Sequence, residues 1–168
     1  HPQPSCTYGM TNTFKYKNWT ASFLITAQTG GKIYGAIGRA FDRQGMGTSI
    51  NVLSKWKNMW FSEEDPGDGH TPCAWISGIN EEYDSRWLYS SDFIKLKNVT
   101  LSYNWRMPKK AFIDNIRLSA SVENVFMIDS YDGGYSPESN NSSSRISSYD
   151  YGAYPMARTF NFGVNVQF

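Results

Sequence analysis

The stretch RTFNFGVNVQF at residues 158–168 alternates without a break. Phe160, Phe162, Val164, Val166 and Phe168 share one parity, and Thr159, Asn161, Gly163, Asn165 and Gln167 share the other. A period of two is that of a β-strand, whose successive side chains point to opposite faces, so this strand has to meet an apolar medium on one side and a polar one on the other. The fold is constrained to whatever can supply both.

The same pattern recurs upstream. TYGMTNTFKY is followed after Lys17 and Asn18 by WTASFLITAQTGG, in which Trp19, Ala21, Phe23, Ile25 and Ala27 alternate with Thr20, Ser22, Leu24, Thr26 and Gln28. This reads as a hairpin with a tight turn. In DFIKLKNVTLSYNW, Val99, Leu101, Tyr103 and Trp105 oppose Asn98, Thr100, Ser102 and Asn104. After a break at Pro108, Ile116, Leu118, Ala120 and Val122 of IRLSASVENVF oppose Arg117, Ser119, Ser121 and Glu123. The chain is therefore all-β, with about five antiparallel strands.

Two long segments interrupt the strands. Residues 30–92 carry repeated glycines, the acidic run SEEDPGDGH, and a helix-like spacing of Ile50, Leu53, Trp56 and Trp60. The second, from Met127 to Ala157, is rich in Gly, Ser, Asn and Tyr. Loops of this length usually carry function. With strand directions alternating back from Phe168, the short connections share one rim with that residue and both long loops share the other. Short turns on one rim and long loops on the opposite rim are the arrangement of a transmembrane β-barrel.

The apolar parity adds aromatic belts. Tyr16, Trp19, Trp105 and Phe168 fall at the short-turn rim, and Phe126 and Phe160 toward the loop rim, with aliphatic residues, Phe and Ala between them. Rings bracketing an aliphatic band are expected at a lipid–water boundary. A soluble β-sandwich that binds carbohydrate would show similar strands, its apolar face hidden by a second sheet. Lys95 and Lys97 share the parity of Val99, and a lysine in lipid at the midplane costs about 2–4 kcal/mol. The expectation is that both stand at the outer rim and snorkel to headgroups; a bulge near Asn98 is the other solution.

The bulk numbers agree with this class. A formal charge of +1 over 168 residues leaves no electrostatic footprint for nucleic acid. Aromatic residues make up 16% of a chain whose mean hydropathy is −0.51, as suits strands bearing many exposed rings. No apolar run exceeds four residues, so there is no spanning helix, and HPQPSC reads as a mature or internal start.

RWLYSSDFIKLKNVTLSYNWRMPKK, NIRLSASVENVF and YPMARTFNFGVNVQF, in that order, resemble the end of the SusC/RagA family of TonB-dependent outer-membrane transporters. NWTASFLITAQTGGKIY resembles an upstream strand of that family, and LSKWKNMWFSEEDPGDGHTPCAW the loop after it. The resemblance implies that residues 1–168 form the C-terminal portion of a receptor barrel in the bacterial outer membrane, with short periplasmic turns and two long extracellular loops. Five strands cannot close alone; small barrels need about eight, and plugged transporters have about 22. The resemblance further implies a plug, TonB and a SusD-like surface lipoprotein as partners, outer-membrane lipid around the wall, and an oligosaccharide (glycan) or peptide substrate. The plug and the TonB-contact motif are not in this stretch.

Several residues are candidates for specific roles. Phe168, with Val166 and Phe160 on the same strand, resembles the terminal aromatic signal read by barrel-assembly machinery. The loop rings Trp75, Trp87, Tyr131, Tyr135, Tyr149, Tyr151 and Tyr154 offer large contact area at small entropic cost for substrate, or else pack the loops together. In an oxidising compartment Cys6 and Cys73 could form a disulfide. Glu63, Glu64, Asp65 and Asp68 lack the spacing of an EF-hand and read as a solvated loop, so no metal is expected. With only His1 and His70 as histidines and neither GxSxG nor HExxH, no catalysis and no cofactor is expected.

Overall fold

The computed structural model describes residues 2–41, 54–73, 85–108, 112–139 and 148–168. In chain order the elements are β1 (Cys6–Tyr16), β2 (Trp19–Thr29), β3 (Lys32–Gly35), α1 (Ala36–Phe41), β4 (Leu88–Ser90), β5 (Phe93–Arg106), β6 (Asn115–Asp129), β7 (Tyr149–Asp150) and β8 (Thr159–Gln167). Ser54–Asn58 and Ser85–Trp87 form single 3-10 turns. The helix-like spacing around Trp56 thus yields one short turn, and Ile50 and Leu53 lie outside the described residues. The chain divides into two compact units. One comprises residues 1–32, 90–131 and 154–168; the other comprises residues 33–89 and 132–153.

The first unit is an antiparallel sheet in the order β1-β2-β5-β6-β8. These are the five strands expected from the alternation, each beside its neighbour in sequence. The turn between β1 and β2 is Lys17–Asn18, closed by the pair Tyr16 and Trp19, with Lys17 at φ 53°, in a turn position where glycine is ordinarily preferred. Asn104 N donates to Asn18 O at 2.9 Å, tying this turn to the end of β5. β5 and β6 are joined on the same rim by residues 107–114, where Met107 N donates to Asp114 O at 3.1 Å. Both long connections leave from the opposite rim.

Register carries the apolar parity across the sheet. Ala21 is opposite Leu101, which is opposite Ala120, which is opposite Phe162. The next row toward the loops is Phe23, Val99, Val122 and Phe160. Val122 is the middle residue of β6, so Phe160 lies halfway along the sheet and not toward the loop rim. β8 begins late, opposite Glu123, because residues 151–158 do not pair.

Lys95 also departs from expectation. Against β2 the ladder shifts at Leu24/Ile25 and leaves Lys97 as an extra residue of β5, while against β6 it shifts at Leu96/Asn98, where Asn124 and Val125 together stand opposite Lys97. Beyond that bulge Ile94 and Leu96 take the apolar face opposite Ala27 and Ile25, while Lys95 moves to the polar face opposite Thr26 and is 4% exposed. A bulge, not rim snorkelling, removes Lys95 from the apolar side, since one inserted residue reverses every side chain beyond it. Asn124 sits in β6 at the same irregularity with φ 54°, a conformation asparagine tolerates better than most residues, and its Nδ2 donates to Ala157 O at 2.8 Å.

The second unit holds a small sheet in the order β4-β3-β7, in which β3 and β7 run parallel with Tyr34 opposite Tyr149 and Gly35 opposite Asp150. Helix α1 follows β3 directly. Gly38 N donates to Gly133 O at 3.0 Å, and a Cβ at Gly38 would stand 2.6 Å from that oxygen, so only glycine admits the approach.

Candidate functional site: an uncovered apolar sheet face and a tyrosine column

The apolar face of the five-stranded sheet is bare. Phe162 is 83% exposed, Val164 70%, Phe14 61% and Ile128 62%. The two-layer sandwich would bury these side chains, and no second sheet covers them among the described residues. Two open depressions mark this face, of about 420 Å³ between Trp19, Leu101, Tyr103, Leu118, Phe162 and Val164, and about 450 Å³ between Phe23, Ile94, Val99 and Phe126. An apolar surface of this extent is far beyond what a soluble monomer leaves in water.

Rings collect at the short-turn end of the face. Tyr16 pairs with Trp19, and Trp19 lies 4.8 Å from Tyr103, ring centre to ring centre. Lys17 Nζ lies 5.3 Å from the centre of the Tyr16 ring. Trp105 is opposite Ile116 near the end of β5. Phe168 lies 5.5 Å from Phe112, a ring the alternation did not flag because it falls in the connection after β5. Toward the loops Phe126 is opposite Leu96, with Ile94 and Ile128 one row beyond it. Tyr8, opposite Ala27, adds a ring to that outer row.

The polar face is hydroxyl-rich. Ser102 is 3% exposed; its Oγ accepts from Arg117 Nη2 at 3.4 Å and donates to Thr20 O at 3.5 Å. Ser119 Oγ donates to Gly163 O at 3.4 Å, and a Cβ at residue 163 would meet that hydroxyl at 2.7 Å.

In the second unit the candidate rings separate by burial. Trp87 is 5% exposed, with Arg86 Cζ 5.4 Å from its ring centre. In the sheet unit Tyr131 is likewise buried. Tyr135 and Tyr151 are exposed, as is Tyr154 of the sheet unit, and Trp75 lies outside the described residues. Tyr34, Tyr149 and Tyr151 form a column: the first two rings are 5.5 Å apart and the next two 6.4 Å, each pair inclined by 15°. Tyr34 entered no list of candidates, because residues 34 and 149 meet only through the parallel pairing of β3 and β7.

The column is fixed from below. Tyr34 N donates to Ser148 O at 2.9 Å. Asp150, fully buried, accepts from Gly152 N at 2.9 Å and Ala153 N at 3.2 Å, with Gly152 at φ 86°. This closes the turn that presents Tyr151.

The acidic loop is held by its own backbone. Trp60 N donates to Thr71 O at 2.9 Å and Asp68 N to Asn58 O at 2.9 Å. Asp68 accepts from Thr71 N at 2.6 Å, Thr71 Oγ1 at 2.7 Å and His70 N at 2.8 Å. These donors, Thr71 foremost, hold its carboxyl at about 2 against an ordinary value of 3.8. Asp68 thus spends its oxygens on the loop itself. Cys6, exposed, and Cys73, half-buried, are both free thiols, so the disulfide is not formed in this structure.

Comparison with known proteins fits this sheet. TonB-dependent receptor P3 of Formosa agariphila is 28% identical over 176 residues, a match covering 99% of this chain and 17% of the relative. TonB-dependent receptor P39 of the same organism is 30% identical over 167 residues, covering 95% and 16%. TonB-dependent receptor SusC of Bacteroides thetaiotaomicron is 24% identical, covering 95% and 15%. The likeness is to TonB-dependent receptors of the SusC/RagA type. The solved RagAB peptide importer in its closed-closed state superposes with a TM-score of 0.79 at 19% identity, over 99% of this chain and 17% of that one, which establishes the fold. No family model matches the chain. The chain spans about a sixth of the length of these relatives. The SusC/RagA-like sheet is thus a piece of an outer-membrane β-barrel wall with one bare apolar face.

Proposed function

We propose that residues 1–168 are the C-terminal closing strands and two extracellular loops of a TonB-dependent importer. The uncovered apolar face carries this reading, together with the likeness to receptors over nearly the whole chain. β1 and β8 each have one neighbour, and a sheet edge in lipid would cost several kcal/mol per unpaired backbone group. On this reading the remaining strands of the same barrel pair with those edges and a plug fills the lumen. TonB acts through a segment outside this stretch. A SusD-like lipoprotein covers the loop rim, and the substrate is an oligosaccharide or a peptide. The relatives carry the names of receptors and importers, and the reading is transport without catalysis. Phe168, Val166 and Phe160 serve barrel assembly, while Tyr16, Trp19, Trp105 and Phe126 seat the wall in the bilayer.

The test is uptake in the native host. Deletion of the gene should abolish entry of one class of labelled oligosaccharide or peptide, and the intact protein should fractionate with the outer membrane and need detergent for extraction. Recovery as a detergent-free soluble protein, with uptake unchanged by the deletion, would refute the reading.

A further inference from the structure

We infer that the exposed end of the tyrosine column is a subsite for a cationic side chain, so that the importer takes up peptides bearing Lys or Arg. This deepens the proposed import function and rests on it. Three near-parallel rings, with centres 5.5 and 6.4 Å apart, end in Tyr151, which is 70% exposed and offers its ring to solvent. The face of an aromatic ring carries the negative part of its quadrupole, and a cation placed over it is attracted. The turn closed by Asp150 and Gly152 holds the backbone at Tyr151 before a ligand arrives, so less ordering remains to oppose binding.

Charge selects among ligands that stack. Among the described residues, the unit carrying the column has seven acidic and four basic residues, a net charge of −3. The described residues of the sheet unit include four acidic and eight basic ones, a net charge of +4. The near-neutral whole conceals two opposite halves. An acidic loop unit raises the local concentration of cations and disfavours sulfated or uronic glycans, while a neutral glycan gains nothing from it. Within the same unit Arg86 already packs over Trp87 at 5.4 Å. A Lys or Arg side chain of a peptide satisfies both the ring face and the field.

The experiment uses the intact receptor in detergent, its folded state checked by the gel shift of an unboiled barrel. Binding of a tri-lysine hexapeptide is compared with that of the matching tri-glutamine hexapeptide and a neutral hexasaccharide. We expect the lysine peptide to bind at least tenfold more tightly than either and to weaken as salt rises. Tyr151→Leu should weaken it about two- to fivefold, while Tyr151→Phe, which keeps the ring face, should not. Equal loss in Tyr151→Phe and Tyr151→Leu, or equal binding of the lysine and glutamine peptides, overturns the subsite. Tight binding of the hexasaccharide alone overturns the substrate class yet leaves the importer standing, whereas loss of outer-membrane localisation would remove the importer itself.

Discussion

Replacing Phe162 by lysine measures directly whether the bare face meets hydrocarbon. The central row of the sheet is that of Val99 and Val122, and Phe162 stands two residues beyond Phe160 toward the short turns. Two residues of strand span about 6.8 Å, or about 5 Å along the membrane normal for a strand tilted by about 40°. An apolar band about 25 Å tall places the boundary about 12 Å from the middle, and the cost of a lysine falls from about 2–4 kcal/mol there to about 0–1 at the boundary. Interpolation gives about 1–3 kcal/mol for Phe162→Lys. Asn161, its neighbour on the polar parity, lies on the opposite face of the sheet, where a lysine should change stability by no more than about 0.5 kcal/mol. Both variants would be made in the intact receptor and unfolded by urea from phospholipid vesicles, with tryptophan emission as readout. A cost at Asn161 equal to or above that at Phe162 would refute the assignment of faces. So would a neutral Phe162→Lys.

Two further expectations concern elements the alternation does not explain. Asn124→Ala forfeits both a residue suited to φ 54° and the 2.8 Å bond to Ala157 O, and should cost about 1–2 kcal/mol in the same assay, with Asn124→Gly about half of that. Because Asp68 titrates at about 2 in the folded loop and near 3.8 when released, its support is complete above pH 3.8 and fades as pH falls toward 2. Trp60 emission should therefore hold steady from pH 7 to pH 4 and change below it, and Asp68→Asn should flatten that change; an unaltered profile in the variant would contradict the assignment.

Legibility in the sequence followed the range of the interaction. Strand identity, the face of each side chain from Val99 to Trp105, and the split between short-turn and long-loop rims were all readable, because each depends on a period of two within one segment. The residues that close the β1–β2 turn were readable for the same reason. Lys95 was misplaced because a bulge is settled between strands: nothing within FIKLKNV says that Lys97 is an extra residue until β2 is aligned beside it. Phe160 was displaced likewise, since the height of β8 is fixed by its register on β6 and not by its own pattern. The candidate rings differ in burial. Trp87 and Tyr151 look alike in composition, and only packing makes one buried and the other exposed.

By itself the sequence determined a five-stranded antiparallel sheet with one oily and one wet face, because alternation is a local property that any pairing must respect. Tertiary structure alone decided that the oily face stays bare, that a bulge turns Lys95 to the polar side, and that Tyr34 meets Tyr149 across 115 positions of chain. Those outcomes depend on which segments come to lie side by side, and such choices are made by the summed contacts of distant residues.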